Sequence, residues 1–436
     1  MTTISARERD AVIQSLRAGV VPRVGQHLVQ VGRLRELESL IQDVDRVAAG
    51  GPAFRLVIGE YGSGKTFFLN LVRAVGLERK LVVANADLNP DRRLHSTGGQ
   101  ARSLYGELMR TLATRTKPEG GALAAIVEKF ISTVSAEAKI SGATPSDAIH
   151  AKLEPLKEMV GGYDFVDVIT SFWRGFEEGS DQLKSDATRW LRAAFTTRTE
   201  ARQALGIRTI IDDASFYDHL KLLARFTRLA GYSGLLVCLD EMVNLYKLSS
   251  TQARNSNYEQ VLRILNDSLQ GSAEGLGWVF GGTPDFVFDT RRGLYSYAAL
   301  QSRLAQNTFA KNGLVDFTGP IVRLANLSPE DFYVLLQKVR HVCASGDPAK
   351  YLLPDEGLNA FMLHSHKQLG DAYFRTPRTT ITAFVNLLAV LEQNPDATWQ
   401  ALLEQVQVPK DEAAKAELLV AGDTPGPDDE LTSFKL

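Results

Sequence analysis

The stretch Gly59-Glu60-Tyr61-Gly62-Ser63-Gly64-Lys65-Thr66 limits this chain more than any other feature. It satisfies the pattern G-x-x-x-x-G-K-[ST] at every fixed position. That pattern carries chemistry only between a strand and a helix, and both flanks comply. Phe54 to Ile58 is a short apolar run of strand length, and Thr66 to Val75 reads as the helix that follows. In such a loop the backbone N–H groups wrap phosphate oxygens, and the helix N-terminus adds the positive end of its dipole. The pattern therefore predicts nucleotide contacts from Gly59, Glu60, Tyr61, Gly62, Ser63, Gly64, Lys65 and Thr66. The Lys65 ammonium is expected on the β- and γ-phosphates, and the Thr66 hydroxyl on Mg²⁺.

A second acidic signature lies downstream. Leu235-Leu236-Val237-Cys238-Leu239 is continuously apolar, the pattern of a strand buried on both faces, and it ends in Asp240-Glu241. Asp240 is the expected second Mg²⁺ ligand, directly or through water. Glu241 is placed to orient and deprotonate an attacking water, which separates hydrolases from kinases that pass the phosphoryl group to another acceptor. The N-K-x-D motif that reads guanine is missing, so ATP is favoured over GTP. Further residues are candidates by position. Thr283, at the end of a strand over 277–280, is placed to contact the γ-phosphate or to position water; a plain turn residue is the competing reading. Arg303 is a candidate arginine finger reaching a neighbouring subunit's nucleotide, which would require a homo-oligomer; a solvated helix arginine is the alternative, and Arg291 and Arg292 are weaker candidates. Arg378 follows Pro377 at the start of an apolar helix (Ile381, Phe384, Val385, Leu388, Leu391). A cation there opposes the helix dipole by a few tenths of a kcal/mol or more, which a γ-phosphate would offset. Arg375 is its near alternative.

The remaining pattern predicts an α/β fold: a five-stranded, mostly parallel phosphate-loop sheet, with a helical insertion and a helical C-terminal domain; the resemblance described below makes that sheet AAA+-like. Further strands are expected at Leu81 to Ala84, leading into Asn85-Ala86-Asp87, and at Ile321 to Leu324. Helices are expected over 5–18, 34–48 and 258–270. Another should begin at Ser328-Pro329-Glu330-Asp331, with Ser at the N-cap, Pro in the first turn and acids behind it. The domains are expected as an N-terminal helical segment (1–50), an ATPase core (51–320) with a helical insertion near 101–230, a C-terminal helical domain (321–409) and a disordered acidic tail (410–436). Trp173 and Trp190 in the insertion read as core residues. Leu94-His95-Ser96-Thr97-Gly98-Gly99-Gln100 resembles the signature loop of transporter-type ATPases but stands in the wrong place for one, so it reads as a loop and helix start.

Net charge is −2, which argues neither for nor against nucleic acid. DNA contact would need local patches such as Arg92-Arg93 or the arginines from Arg189 to Arg202. Cys238 and Cys343 lack metal-ligand spacing and read as reduced core thiols. The polar N-terminus is no signal peptide, and no apolar run approaches the roughly 20 residues of a membrane span, so a cytoplasmic protein without membrane contact is expected.

The runs GVVPR (19–23), VGR (31–33), VIGEYGSGKTFFL (57–69), DRRLHSTGGQ (91–100), LLVCLDEMVNLYK (235–247), GGTPDF (281–286) and RTPRTTI (375–381) resemble the BREX-system ATP-binding proteins, the BrxD-like family. These are phosphate-loop ATPases of bacterial phage-defence islands, related to the AAA+ and origin-recognition type. The resemblance implies adenine near Val31, Gly32 and Arg33, Thr283 in the first sensor position and Arg378 in the second. It also implies ATP hydrolysis with Mg²⁺ and work on DNA beside a helicase-like partner. A nucleotide-operated signalling switch of STAND-like type, with slow turnover and no direct DNA contact, is the alternative. A small-molecule kinase is disfavoured by Glu241 and by the helical C-terminal domain with its Arg378.

Overall fold

Each continuously apolar run becomes a strand of one sheet. The computed structural model describes residues 4–310, 315–369 and 377–405. Within them the strands are β1 (Ala53–Ile58), β2 (Val82–Asp87), β3 (Leu235–Asp240), β4 (Leu276–Gly282) and β5 (Ile321–Arg323). They run in the order β2-β3-β4-β1-β5, all parallel, so the expected α/β sheet is present. Every residue of β1, β3 and β4 is buried, as helix-covered parallel strands require. β2 and β3 pair in register from Val82↔Leu235 to Asp87↔Asp240. β2 therefore continues through its polar end to Asp87. The phosphate loop follows β1 and the acidic pair closes β3, each at the carboxyl end of its strand, where open parallel sheets bind ligands.

The chain falls into two compact units. One draws, among the described residues, on 4–37, 57–71, 322–369 and 377–405. Its core joins Val12 and Val29 to Phe332, Leu336, Val339, Phe361, Phe384 and Leu388. The helix Ala6–Arg17 opens with a capping box between Ser5 and Glu8. It packs on the helices Pro329–Cys343 and Pro377–Gln393. Arg9 Nε donates to Cys343 O at 2.8 Å, and Thr382 Oγ1 donates to Leu16 O at 3.0 Å. The N-terminal helix thus belongs to the core built by the C-terminal helices. Ser328 caps the helix Pro329–Cys343 through a second capping box with Asp331, as the sequence predicts.

The other unit draws on Glu38–Leu56 and Val72–Ile321. Between β2 and β3 it carries seven α-helices, from Gln100–Thr111 to Phe216–Leu229. Phe226 stacks on Phe130 and Phe165. Trp190 is buried and its indole N–H reaches Thr209 O at 2.9 Å. Trp173 is only half-buried. Asp43 and Arg55 form a buried ion pair, and Arg55 also donates to Gly319 O. The helix after the acidic pair starts at Thr251, not 258, because Ser250 accepts the Ala253 N–H as its N-cap. Its first turns (TQARNSN) are polar, so apolar periodicity alone does not reveal them. Arg375 and the tail 410–436 lie outside the described residues.

Candidate functional site

The phosphate loop is shaped by its glycines. Gly62 (φ +74°) and Gly64 (φ +84°) occupy the left-handed region, which a residue without Cβ enters at no steric cost. Lys65 opens the helix Lys65–Glu78, and its ammonium donates to Gly59 O and Glu60 O, both at 2.9 Å. Ser63 N–H closes the turn on Glu60 O at 3.1 Å. The Ser63 side chain is only 3% exposed, and among the described residues its hydroxyl has no hydrogen-bond partner. A Cβ on Gly59 would run into that hydroxyl. Buried polar groups are nearly always satisfied, so an orphan beside a lysine and a helix N-terminus marks a ligand position. The donors of this loop fit the phosphates of a nucleotide.

Arg33 braces the loop from outside. Gly32 (φ +58°) and Arg33 (φ +57°) are successive left-handed residues. The Arg33 guanidinium donates to Ser63 O at 2.6 Å and to Ala325 O at 2.8 Å. Burial pulls its pKa below the usual arginine value, against the pull of Glu36 and Asp331. A Cβ on Gly32 would lie 3.1 Å from both carboxylate oxygens of Asp331. Val31 packs at the margin of the same unit's core. Arg378 is exposed in the first turn of its helix, and a Cβ on Gly19 would lie 2.8 Å from its Nε. The GVVPR and RTPR runs therefore meet through Gly19 and Arg378.

The acid turn is built differently. Asp240 is 6% exposed, and its carboxylate accepts the Glu241 N–H at 2.9 Å. Glu241 itself is exposed and has φ +58°. A non-glycine residue in that region costs about 1–3 kcal/mol and persists only where its surroundings over-determine it. The surroundings do so. Met242 N–H donates to Gly281 O and Leu88 N–H to Asp240 O, both at 3.0 Å. Asn244 Nδ2 donates to Leu88 O at 2.8 Å and to Glu241 O at 3.2 Å. Beyond the short helix Val243–Tyr246, Arg292 donates to Tyr246 O and Leu248 O, and Arg254 to Leu248 O and Ser249 O. Arg254 is 6% exposed; burial and the charge of Arg292 lower its pKa. Asp87, paired in register with Asp240, has its carboxyl pushed above the ordinary range by desolvation and then by the Asp240 charge, with Arg92 pulling the other way.

Other predicted residues bond locally. Thr283 caps the helix Pro284–Phe288, its hydroxyl accepting the Phe286 N–H at 3.4 Å. Arg303 donates to Ala299 O of its own helix at 3.0 Å. The basic patches are partly neutralised: Arg92 pairs with Glu107 at 3.3 Å, and Arg189 pairs with Asp186 and Glu200 while lying over the Phe195 ring. Burial pushes the Cys238 and Cys343 thiols up to about 12, which makes both poor nucleophiles. Sequence reasoning missed Asn244 as a support of the acid turn, and Arg254 and Arg292 as donors to the segment that follows it. The one local signal was a polar residue three positions after Glu241 in an otherwise apolar stretch.

Among the described residues no helix is long and apolar enough to cross a membrane. The model of the family described as BREX system ATP-binding protein BrxC/D matches residues 4–407, and the chain belongs to that family. No curated protein matches the chain.

Proposed function

From that membership and the geometry of the acid turn, we propose that this ATP-binding protein also hydrolyses ATP, with Glu241 as general base. One observation carries the reading: Glu241 follows a buried strand-end aspartate in a strained backbone conformation that several hydrogen bonds maintain. Strain kept at such a position is expected of a working residue, not of a surface turn.

In this reading the phosphate-loop N–H groups and the Lys65 ammonium bind the β- and γ-phosphates, and the buried Ser63 hydroxyl supplies a further donor. Thr66 and Asp240 would hold Mg²⁺, which when bound neutralises phosphate charge. Glu241 orients the attacking water and takes its proton. Val31, Gly32 and Arg33 flank the adenine side, Thr283 is a polar sensor, and Arg378 reports the γ-phosphate. Arg303 acts only if a second copy presents it. The defence role implied by the family extends to DNA, and we assign that contact to a helicase-like partner protein. The carboxylate pairing of Arg92 and Arg189 supports this assignment.

The test is steady-state ATP turnover of the purified chain, with and without duplex DNA, beside its mass in solution. Mg²⁺-dependent phosphate release by the chain alone, unaffected by DNA, is the expected result. An absence of turnover with ATP still bound would leave a nucleotide-operated switch. Stimulation by DNA that weakens steeply with salt would move the DNA contact onto this chain.

A further inference from the structure

We infer that Asn244 is a positioning residue that holds Glu241 in its left-handed conformation and thereby sets the general base. The inference rests on the role of Glu241 proposed above.

Asparagine offers two N–H donors on one short side chain. Here both are spent on backbone carbonyls, Leu88 O at 2.8 Å and Glu241 O at 3.2 Å. The Asn244 backbone N–H also reaches Glu241 O, at 3.0 Å, so that carbonyl receives two hydrogen bonds from one residue. Leu88 is held on its other side too, its N–H donating to Asp240 O at 3.0 Å. A closed circuit results: Asp240 O to Leu88, Leu88 O to the Asn244 amide, and the amide back to Glu241 O. It joins the exit of β2 to the exit of β3 just beyond the in-register pair Asp87 and Asp240.

The circuit answers a specific need. Glu241 at φ +58° would relax toward negative φ if its carbonyl were released, because its Cβ is less crowded by the backbone there. Rotation about that bond swings the carboxylate relative to the strand end. Displacements of about 1 Å at a reacting group cost on the order of 10²-fold in rate. The carboxylate of an aspartate at 244 would face two carbonyl oxygens with nothing to donate. Hydrophobic packing does not explain the choice of asparagine, since the nearest atoms to its amide are polar.

The experiment compares Asn244→Asp, which is isosteric and lacks the donors, with Asn244→Ala, which lacks them without adding charge. Each is made alone and on Glu241→Gln. Both single variants should lose at least about tenfold in kcat with KM for ATP changed by less than about twofold. On the Glu241→Gln background neither should cause a further loss, because the residue acts through Glu241. Should Asn244→Asp not fold, Asn244→Ala gives the same comparison. Wild-type kcat in both variants overturns the inference and leaves the Glu241 reading standing, as does an undiminished extra loss on the Glu241→Gln background. A Glu241→Gln protein as fast as wild type overturns the base assignment itself, and this inference with it.

Discussion

Gly62 and Gly64 adopt positive φ in the phosphate loop without a side chain to resist it, whereas Glu241 adopts positive φ in the acid turn against its own Cβ. The loop reaches its shape mainly from residue choice within eight positions, with Arg33 bracing it from outside. The turn is held in shape through bonds with Leu88, Asn244 and Gly281, drawn from three stretches of chain. A locally encoded site tolerates change around it and fails when its own residues change. A site held by distant bonds should fail when its supports change, even if its own residues are intact. Five substitutions, added to those of Asn244, can break or sharpen that contrast.

Lys65→Ala should have the largest effect. The lysine is the loop's own charged donor, so ATP binding and turnover are expected to be lost while the thermal melting temperature stays near wild type. Isothermal calorimetry with ATP is the measurement, and wild-type affinity in the folded variant would remove the phosphate-loop assignment. Glu241→Gln comes next. It keeps the side chain's volume and loses its basicity, so turnover should fall by about 10²- to 10⁴-fold with ATP affinity retained. A collapse of affinity with a normal residual rate would make Glu241 a binding residue instead. The two results together ask whether loop and turn divide the work into binding and chemistry.

Arg33→Ala tests the brace that Arg33 gives the loop from outside. Two hydrogen bonds from a charged donor disappear, of a kind worth about 1.5–3 kcal/mol each where shielded from water and less at the exposed Ala325 carbonyl. ATP affinity should weaken by roughly tenfold, at the low end of that range, because the glycine conformations persist without the brace. Loss of binding as complete as in Lys65→Ala would show that the loop is as dependent on distant support as the turn, and the contrast would fall.

The same contrast explains what the sequence discloses. β3 and β4 are largely continuous apolar runs, and β1 is broken only by Arg55, whose charge Asp43 meets in the core, so burial on both faces writes them directly into the chain. The phosphate loop and the Ser328 cap are local patterns of residue type and are legible for the same reason. Asn244, Arg254 and Arg292 are not legible as supports, because their partners are backbone carbonyls, which carry no residue identity for a reader to match. The attachment of the N-terminal helix to the C-terminal helices is equally silent, being decided by apolar faces hundreds of positions apart. Thr283 shows the converse: position at a strand end suggested a sensor, and the fold also gives it a helix-capping bond.

The smallest effect expected is on stability, and it asks whether the strain at Glu241 is real. Glycine at 241 removes the Cβ that the left-handed conformation crowds, a relief of roughly 1–2 kcal/mol. Glycine also gives the unfolded chain more freedom, which takes back about 0.4–1 kcal/mol. The balance favours the folded state by about 0 to 1.6 kcal/mol, so Glu241→Gly should melt slightly above wild type while losing turnover at least as completely as Glu241→Gln. Substituting alanine for Gly64 has the opposite sign, since it places a Cβ in the left-handed region at φ +84° and 3.3 Å from an Arg33 nitrogen. A higher melting temperature in Glu241→Gly beside a lower one in Gly64→Ala would show that the loop is relaxed where the turn is strained. A drop in Glu241→Gly would mean that the glutamate side chain stabilises the turn through its own contacts, and the conformation would then owe less to Asn244 than to Glu241 itself.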